Sequence, residues 1–73
     1  MARIEVLSEI TGTVWKVLVK PGDKVVEDDS LVIVESMKME IPLTTPEDAV
    51  VKEVRIGEGD AIAEGDVAIV LEA

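Results

Sequence analysis

Near the middle of this 73-residue chain a single lysine stands between two methionines, in Glu35-Ser36-Met37-Lys38-Met39-Glu40. A lysine amine on its long stem becomes a nucleophile once it loses a proton. A free lysine, with a reference pKa of about 10.4, is deprotonated in roughly four of every ten thousand molecules at neutral pH. Lys38 alone is therefore a poor catalyst. It is a good substrate for an enzyme that brings a base and an activated acyl group. Glu35 and Glu40 invite reading as an acid/base pair. No pocket is predicted around them, so they read better as charges dressing a docking tip. Methionine suits surfaces that another protein must repack against. The plain alternative is a core strand carrying a solvated lysine.

The rest of the composition narrows the chemistry. There is no histidine and no cysteine. That removes the commonest general base, disulfides and cysteine metal sites, and no nucleophile–base pair can be assembled. The chain is thus expected not to be an enzyme. Seven basic and sixteen acidic residues give a net charge of −9. Nucleic-acid binders usually carry the opposite sign and several stacking aromatics, whereas Trp15 is the only aromatic here. Nucleic acid and anionic membrane surfaces are excluded as partners. No apolar run reaches the length of a signal region or a membrane span, and the cytoplasm is the expected compartment.

Residues 1–73 read as one domain that is a monomer on its own. Short valine-rich runs are separated by Gly, Pro, Asp and Ser turns, the pattern of a sandwich or barrel. Strands are expected over 3–7, 13–19, 24–26, 31–34, 40–44, 50–56, 61–63 and 67–71, with Val50, Val54 and Ile56 on one face of the sixth and with no helix. Pro42 has no N–H to give a ladder, so its strand should lie at an edge.

Slid along itself by 37 places, the chain repeats. Val14, Val17, Gly22, Asp23, Glu27, Asp29 and Glu35 fall on Val51, Val54, Gly59, Asp60, Glu64, Asp66 and Glu72, seven identities in the 25 pairs from 12 to 36. Two such units complete each other around a pseudo-two-fold axis. The mate of Lys38 would be position 1 or 75, where the termini meet. The Met-Lys-Met stretch should then form a hairpin tip at the far end from the termini.

The motif Glu35-Ser36-Met37-Lys38-Met39-Glu40, with the Gly22-Asp23 and Gly59-Asp60 turns, resembles the biotinyl/lipoyl carrier family over nearly the whole chain. The resemblance implies a flattened all-β barrel, a barrel-sandwich hybrid of two four-stranded antiparallel sheets. It implies biotin joined by an amide to Lys38, attached by a biotin protein ligase that recognises Met37 and Met39 with Glu35 and Glu40 beside them. It further implies a carrier moving a carboxyl group between a biotin carboxylase and a carboxyltransferase. Lipoyl carriers typically have Asp-Lys-Ala at the tip, which this chain lacks. Lipoate, alone or as well, is the rival cofactor. An unmodified β-barrel interaction module is the rival outside the carrier class. Ala49 stands where a glycine is common, and Asp28-Asp29 replaces the Gly-Asp seen at 65–66. With no thumb insertion and no Pro/Ala-rich linker, the chain is expected to be of the short stand-alone type.

Other clusters read as structure. Glu27-Asp28-Asp29 lacks the converging spacing of a cation loop. Gly57-x-Gly59 lacks the lysine and helix of a phosphate loop. Trp15 shares parity with Val17 and Val19, which points inward. Its repeat mate is Lys52, which points to a rim. It is expected to be partly buried and structural.

Overall fold

Valine and isoleucine fit a pleated, half-buried surface, and the regular Gly and Asp turns cut the chain into short lengths. The result, in a computed structural model describing residues 2–73, is eight strands: β1 (Arg3–Leu7), β2 (Gly12–Val17), β3 (Lys24–Val25), β4 (Ser30–Ser36), β5 (Met39–Thr44), β6 (Ala49–Val54), β7 (Ala61–Ile62) and β8 (Val67–Glu72). They form two antiparallel four-stranded sheets, ordered β1-β8-β6-β3 and β5-β4-β2-β7. No helix occurs among the described residues. β5, with Pro42, is an edge strand, as that proline requires.

The two sheets are the two halves of the repeat, each completed by the other. β5, β4 and β2 correspond to β1, β8 and β6. Each half lends its short third strand to the opposite sheet: β7 pairs with β2, and β3 with β6. Even the irregularities repeat. Leu31 on β4 and Ala68 on β8 are extra residues in their ladders, and both are buried. Trp15 on β2 and Lys52 on β6 are a second such pair.

Between the sheets lies one aliphatic core. Val14, Leu31, Val32 and Val34 from one sheet meet Val51, Ala68, Ile69 and Leu71 from the other. Each fully buried branched side chain contributes about 1.5–3 kcal/mol. Four aspartates close the turns in the same way. Asp23, Asp29, Asp60 and Asp66 each accept a hydrogen bond at 2.8–3.0 Å from the backbone N–H three residues earlier, at Lys20, Val26, Gly57 and Ala63. Ser8 and Thr45, also mates in the repeat, are buried and satisfied: each hydroxyl bonds the carbonyl two residues on, at Ile10 and Glu47.

Three expectations are corrected. β2 and β6 end at Val17 and Val54 rather than continuing to Val19 and Ile56, because Leu18 N–H and Arg55 N–H bond to Leu31 and Ala68, the bulge residues. β4 is longer than the apolar run 31–34 at both ends, since Ser30, Glu35 and Ser36 pair with β5. Val50 is half exposed and Val51 is inside, the reverse of the parity expected for β6. The cause is the bulge at Lys52: counting by twos back from Val54 across an extra residue lands on the wrong face.

Gly12 permits the close packing of β2 on β4. A Cβ at that position would collide with the Glu35 carbonyl oxygen. The related position in the other half holds Ala49. Gly12→Ala should therefore destabilise the domain by about 1–3 kcal/mol in urea denaturation, while Ala49→Gly costs under about 1 kcal/mol.

Candidate functional site

Ser36 and Met39 are the last paired residues of the β4–β5 hairpin. Met37 and Lys38 alone make the loop, and both have positive φ, 52° and 65°. Two left-handed residues in a two-residue loop are the signature of the hairpin turn whose twist matches its strands. Asn-Gly is the sequence that turn prefers. Outside glycine, the left-handed conformation costs about 1–2 kcal/mol per residue. Methionine and lysine are held there by six cross-strand partners of β4 and β5. Strain kept in place by surrounding order marks a position where the side chain matters more than the backbone.

Nothing covers the tip. Met37 is 90% exposed and Met39 62% exposed, and Lys38 is exposed between them. The two methionines do not share a strand face, because the turn intervenes. The base of the hairpin is braced instead. Ser36 Oγ donates to the Thr11 carbonyl at 3.0 Å, and Thr11 Oγ1 accepts from Glu64 N–H at 3.0 Å. Sequence reasoning missed Thr11 and Ser36. The repeat held the signal for Thr11, because its mate Asp48 accepts from Glu27 N–H, the mate of Glu64, at 2.8 Å.

These bonds also fix the tip's position. From Thr11 and Glu64 the chain passes to Gly65, whose N–H bonds Ser8 O at 2.8 Å. Ser8 lies beyond the end of β1 that is remote from Ala2 and Ala73, which bond to each other at 2.8 and 2.9 Å. Five residues of β1 (about 17 Å) separate the two levels. The tip and the paired termini thus occupy opposite ends of a molecule 36 Å long.

Glu35 and Glu40 are directly opposed one rung below the turn, and both are exposed. Their mates in the other half are Glu72 and Arg3, an opposite-charge pair. Lys52 adds a salt bridge to Glu72 at 3.0 Å. In the tip hairpin the residue corresponding to Lys52 is Trp15, so Glu35 has no such cation. Like charges facing across a ladder are unfavourable by a few tenths to about 1 kcal/mol. The tip therefore presents one cation ringed by two uncompensated carboxylates.

Trp15 is partly buried as expected, but on the outer face, not inward as its parity with Val17 and Val19 pointed. It is 45% exposed, because it and Lys16 are the two bulge residues that together oppose Ile33 on the outer face. The Lys16 ammonium lies 5.5 Å from the indole centroid.

The chemistry open to this arrangement is that of an acceptor. No cluster suited to a metal ion occurs among the described residues. A surface cavity of about 570 Å³ lies between the edge strands β1 and β5, and Lys38 is not among its lining residues.

Known proteins point the same way. Residues 5–71 match the family model described as "Biotin-requiring enzyme". A biotin/lipoyl attachment protein of Bacillus subtilis is 46% identical over 63 residues, 86% of each chain. A protein of Mycobacterium leprae named a biotinylated protein TB7.3 homolog is 40% identical over 92% of this chain and 94% of its own. A Staphylococcus aureus pyruvate carboxylase is 40% identical over 89% of this chain, but this spans only 6% of that enzyme. Among solved structures, a single-chain multi-domain long-chain acyl-CoA carboxylase superposes with a TM-score of 0.91 at 26% identity, covering 96% of this chain and 7% of that one. Kluyveromyces lactis urea carboxylase gives 0.91 at 30% identity, over 97% and 6%.

The strain at the turn is testable without any partner. Replacing Met37 by Asn and Lys38 by Gly supplies the preferred turn residues. Thermal denaturation of that variant should show a gain of about 1 kcal/mol, the reverse of what core substitutions do.

Proposed function

We propose that this chain, which belongs to the biotin/lipoyl attachment family of biotin-requiring enzymes, is a covalent biotin carrier with its cofactor on Lys38. The observation that carries this reading is the strained two-residue turn. It holds an exposed amine at the end of the molecule farthest from the paired Ala2 and Ala73. The residues present fit the group: an uncovered amine, a stem that reaches beyond the methionines, and no side chain closing over it.

Attachment asks little of the carrier. A biotin protein ligase supplies the base that takes a proton from Lys38 Nζ. The freed electron pair attacks the acyl carbon of biotinyl-AMP. An amide bond forms, the nitrogen gives up a second proton to the ligase's base or to solvent, the acyl–oxygen bond to phosphate breaks, and AMP leaves with the electron pair of that broken bond. The chain's part is presentation. Met37 and Met39 give the ligase apolar handles on either side of the amine, and Glu35 and Glu40 give it a negative collar to register against. Amide formation removes the one cation of the tip, so the net charge passes from −9 to −10. The modified tip is then more strongly negative than the unmodified one. Bound biotin supplies a ureido nitrogen able to hold a carboxyl group for transfer. We assign a biotin carboxylase and a carboxyltransferase as the partners visited in turn, and the carrier contributes no catalytic residue of its own.

Lipoate is the second reading. It rests on the relative named a biotin/lipoyl attachment protein. It also rests on 39% identity to the dihydrolipoyllysine-residue acetyltransferase of a Pseudomonas aeruginosa pyruvate dehydrogenase complex, of which this chain spans 13%.

Intact-mass measurement of protein from its native host decides between them. One biotinyl increment, lost in Lys38→Ala, is expected. A lipoyl increment would establish the second reading, and an unmodified chain in cells with active ligases would refute both. Replacing Met37 by Asp and Met39 by Ala should lower the biotinylated fraction at least tenfold in the same measurement, with the circular dichroism spectrum unchanged.

A further inference from the structure

The interior of this protein offers nothing to an oxidant. Its core cluster is built of valine, leucine, isoleucine and alanine alone, and the chain has no cysteine, histidine or tyrosine. Sulfur occurs only in three methionines, and two of them, Met37 and Met39, stand on either side of Lys38. Methionine ordinarily fills gaps in cores. Here one is almost wholly exposed and the other mostly so. In the other half of the repeat the position matching Met39 is Ala2. The chain thus places thioethers at its tip and keeps them out of its core.

We propose that Met37 and Met39 form a modification site of their own, where oxidation to the sulfoxides by a neutral hydroperoxide withholds Lys38 from its ligase. The proposal rests on the carrier reading given above. In each step a sulfur lone pair attacks the distal oxygen of the peroxide. An S–O bond forms, the O–O bond breaks, and the proton on the attacked oxygen passes to the leaving alkoxide. The sulfur is oxidised by two electrons, and the peroxide is reduced to an alcohol, or to water where it is hydrogen peroxide. Exposure leaves both sulfurs open to attack. Charge selects the oxidant: the exposed carboxylates of Glu35 and Glu40, one rung below the turn, repel anions and let a neutral peroxide approach.

The consequence stays at the tip. A sulfoxide is polar and chiral where the thioether was flexible and apolar, so both handles offered to the ligase are lost. The turn keeps its backbone, because six cross-strand pairs of β4 and β5 hold it. Neither methionine belongs to the core cluster, so no interior packing is broken. Methionine sulfoxide reductases, one for each epimer, reverse the change. A chain that already carries its cofactor keeps it, since the amide is untouched. Oxidation therefore acts on the loading of new chains.

The test treats the unmodified chain with hydrogen peroxide, which keeps the sulfur of biotin out of the measurement. Peptide mass mapping should show Met37 and Met39 each oxidised at no less than about a third of the rate of N-acetylmethionine amide, with the circular dichroism spectrum unchanged. The native host's biotin protein ligase should then biotinylate the bis-sulfoxide at least about tenfold more slowly, and sulfoxide reductases of both epimer classes should restore the parent rate. In the double variant Met37→Leu with Met39→Leu, whatever its own rate, the same treatment should alter biotinylation by less than about twofold. Slow oxidation of both methionines, a mass-confirmed bis-sulfoxide biotinylated at the parent rate, or equal slowing of the double variant would overturn the proposal and leave the carrier reading standing. An untreated chain that the ligase does not biotinylate would overturn both.

Discussion

The close packing of β2 on β4, where a side chain at Gly12 would meet the carbonyl of Glu35, is the constraint on which the tip depends. It lets β4 lie flat between β2 and β5 up to its last residue. Only with that support can two residues without any preference for the left-handed region be kept in it at the turn. Loosening β2 from β4 would let the turn relax toward a wider loop. The amine would still be present, but it would no longer have one direction. The bond from Ser36 to Thr11 and from Thr11 to Glu64 extends the same support sideways into the neighbouring turn.

Duplication explains how so small a chain manages this without a disulfide. Each half repeats one recipe: a bulged strand, a turn closed by an aspartate, a two-residue strand given away to the other sheet, a second aspartate turn, and a long central strand. The backbone groups in the turns are met by carboxylates and hydroxyls at matching places. The aliphatic side chains are left to fill one shared interior. What differs between halves is confined to the outer faces and the hairpin ends. There one copy keeps ordinary charge pairing, and the other carries Trp15, Glu35, Lys38 and Glu40.

Much of this was legible in the sequence. The eight strands, their edge proline and the remoteness of the tip from the termini follow from valine patterning, turn residues and the 37-residue offset, and the two-sheet architecture from the resemblance to the biotinyl/lipoyl carrier family. The parity of β2 and β6 did not follow. A bulge leaves no mark in a strand pattern, and each one exchanges the inner and outer faces beyond it. That is why Val50 and Val51 were transposed and why the parity of Trp15 with Val17 and Val19 pointed inward. The left-handed turn was equally hidden, because Met37 and Lys38 are not residues that announce positive φ. The bracing by Thr11 was readable only after its mate Asp48 was recognised in the same role. The site residues themselves were singled out by type and spacing. Their geometry, including the unpaired charge of Glu35, needed the registers of both hairpins.

The exchange of short strands between the sheets bears on how the protein is made. β2 finds its outer neighbour only in β7, and the sheet opposite the tip has β8 as an inner strand. A nascent chain still short of Val67 therefore lacks Ala68, Ile69 and Leu71 from the interior they fill and the strand that β1 and β6 pair with. Contacts between such distant segments form late and together. The lysine at the middle of the sequence is synthesised early but set in its final direction last. The direction of the tip thus depends on strands far along the chain from the lysine it presents.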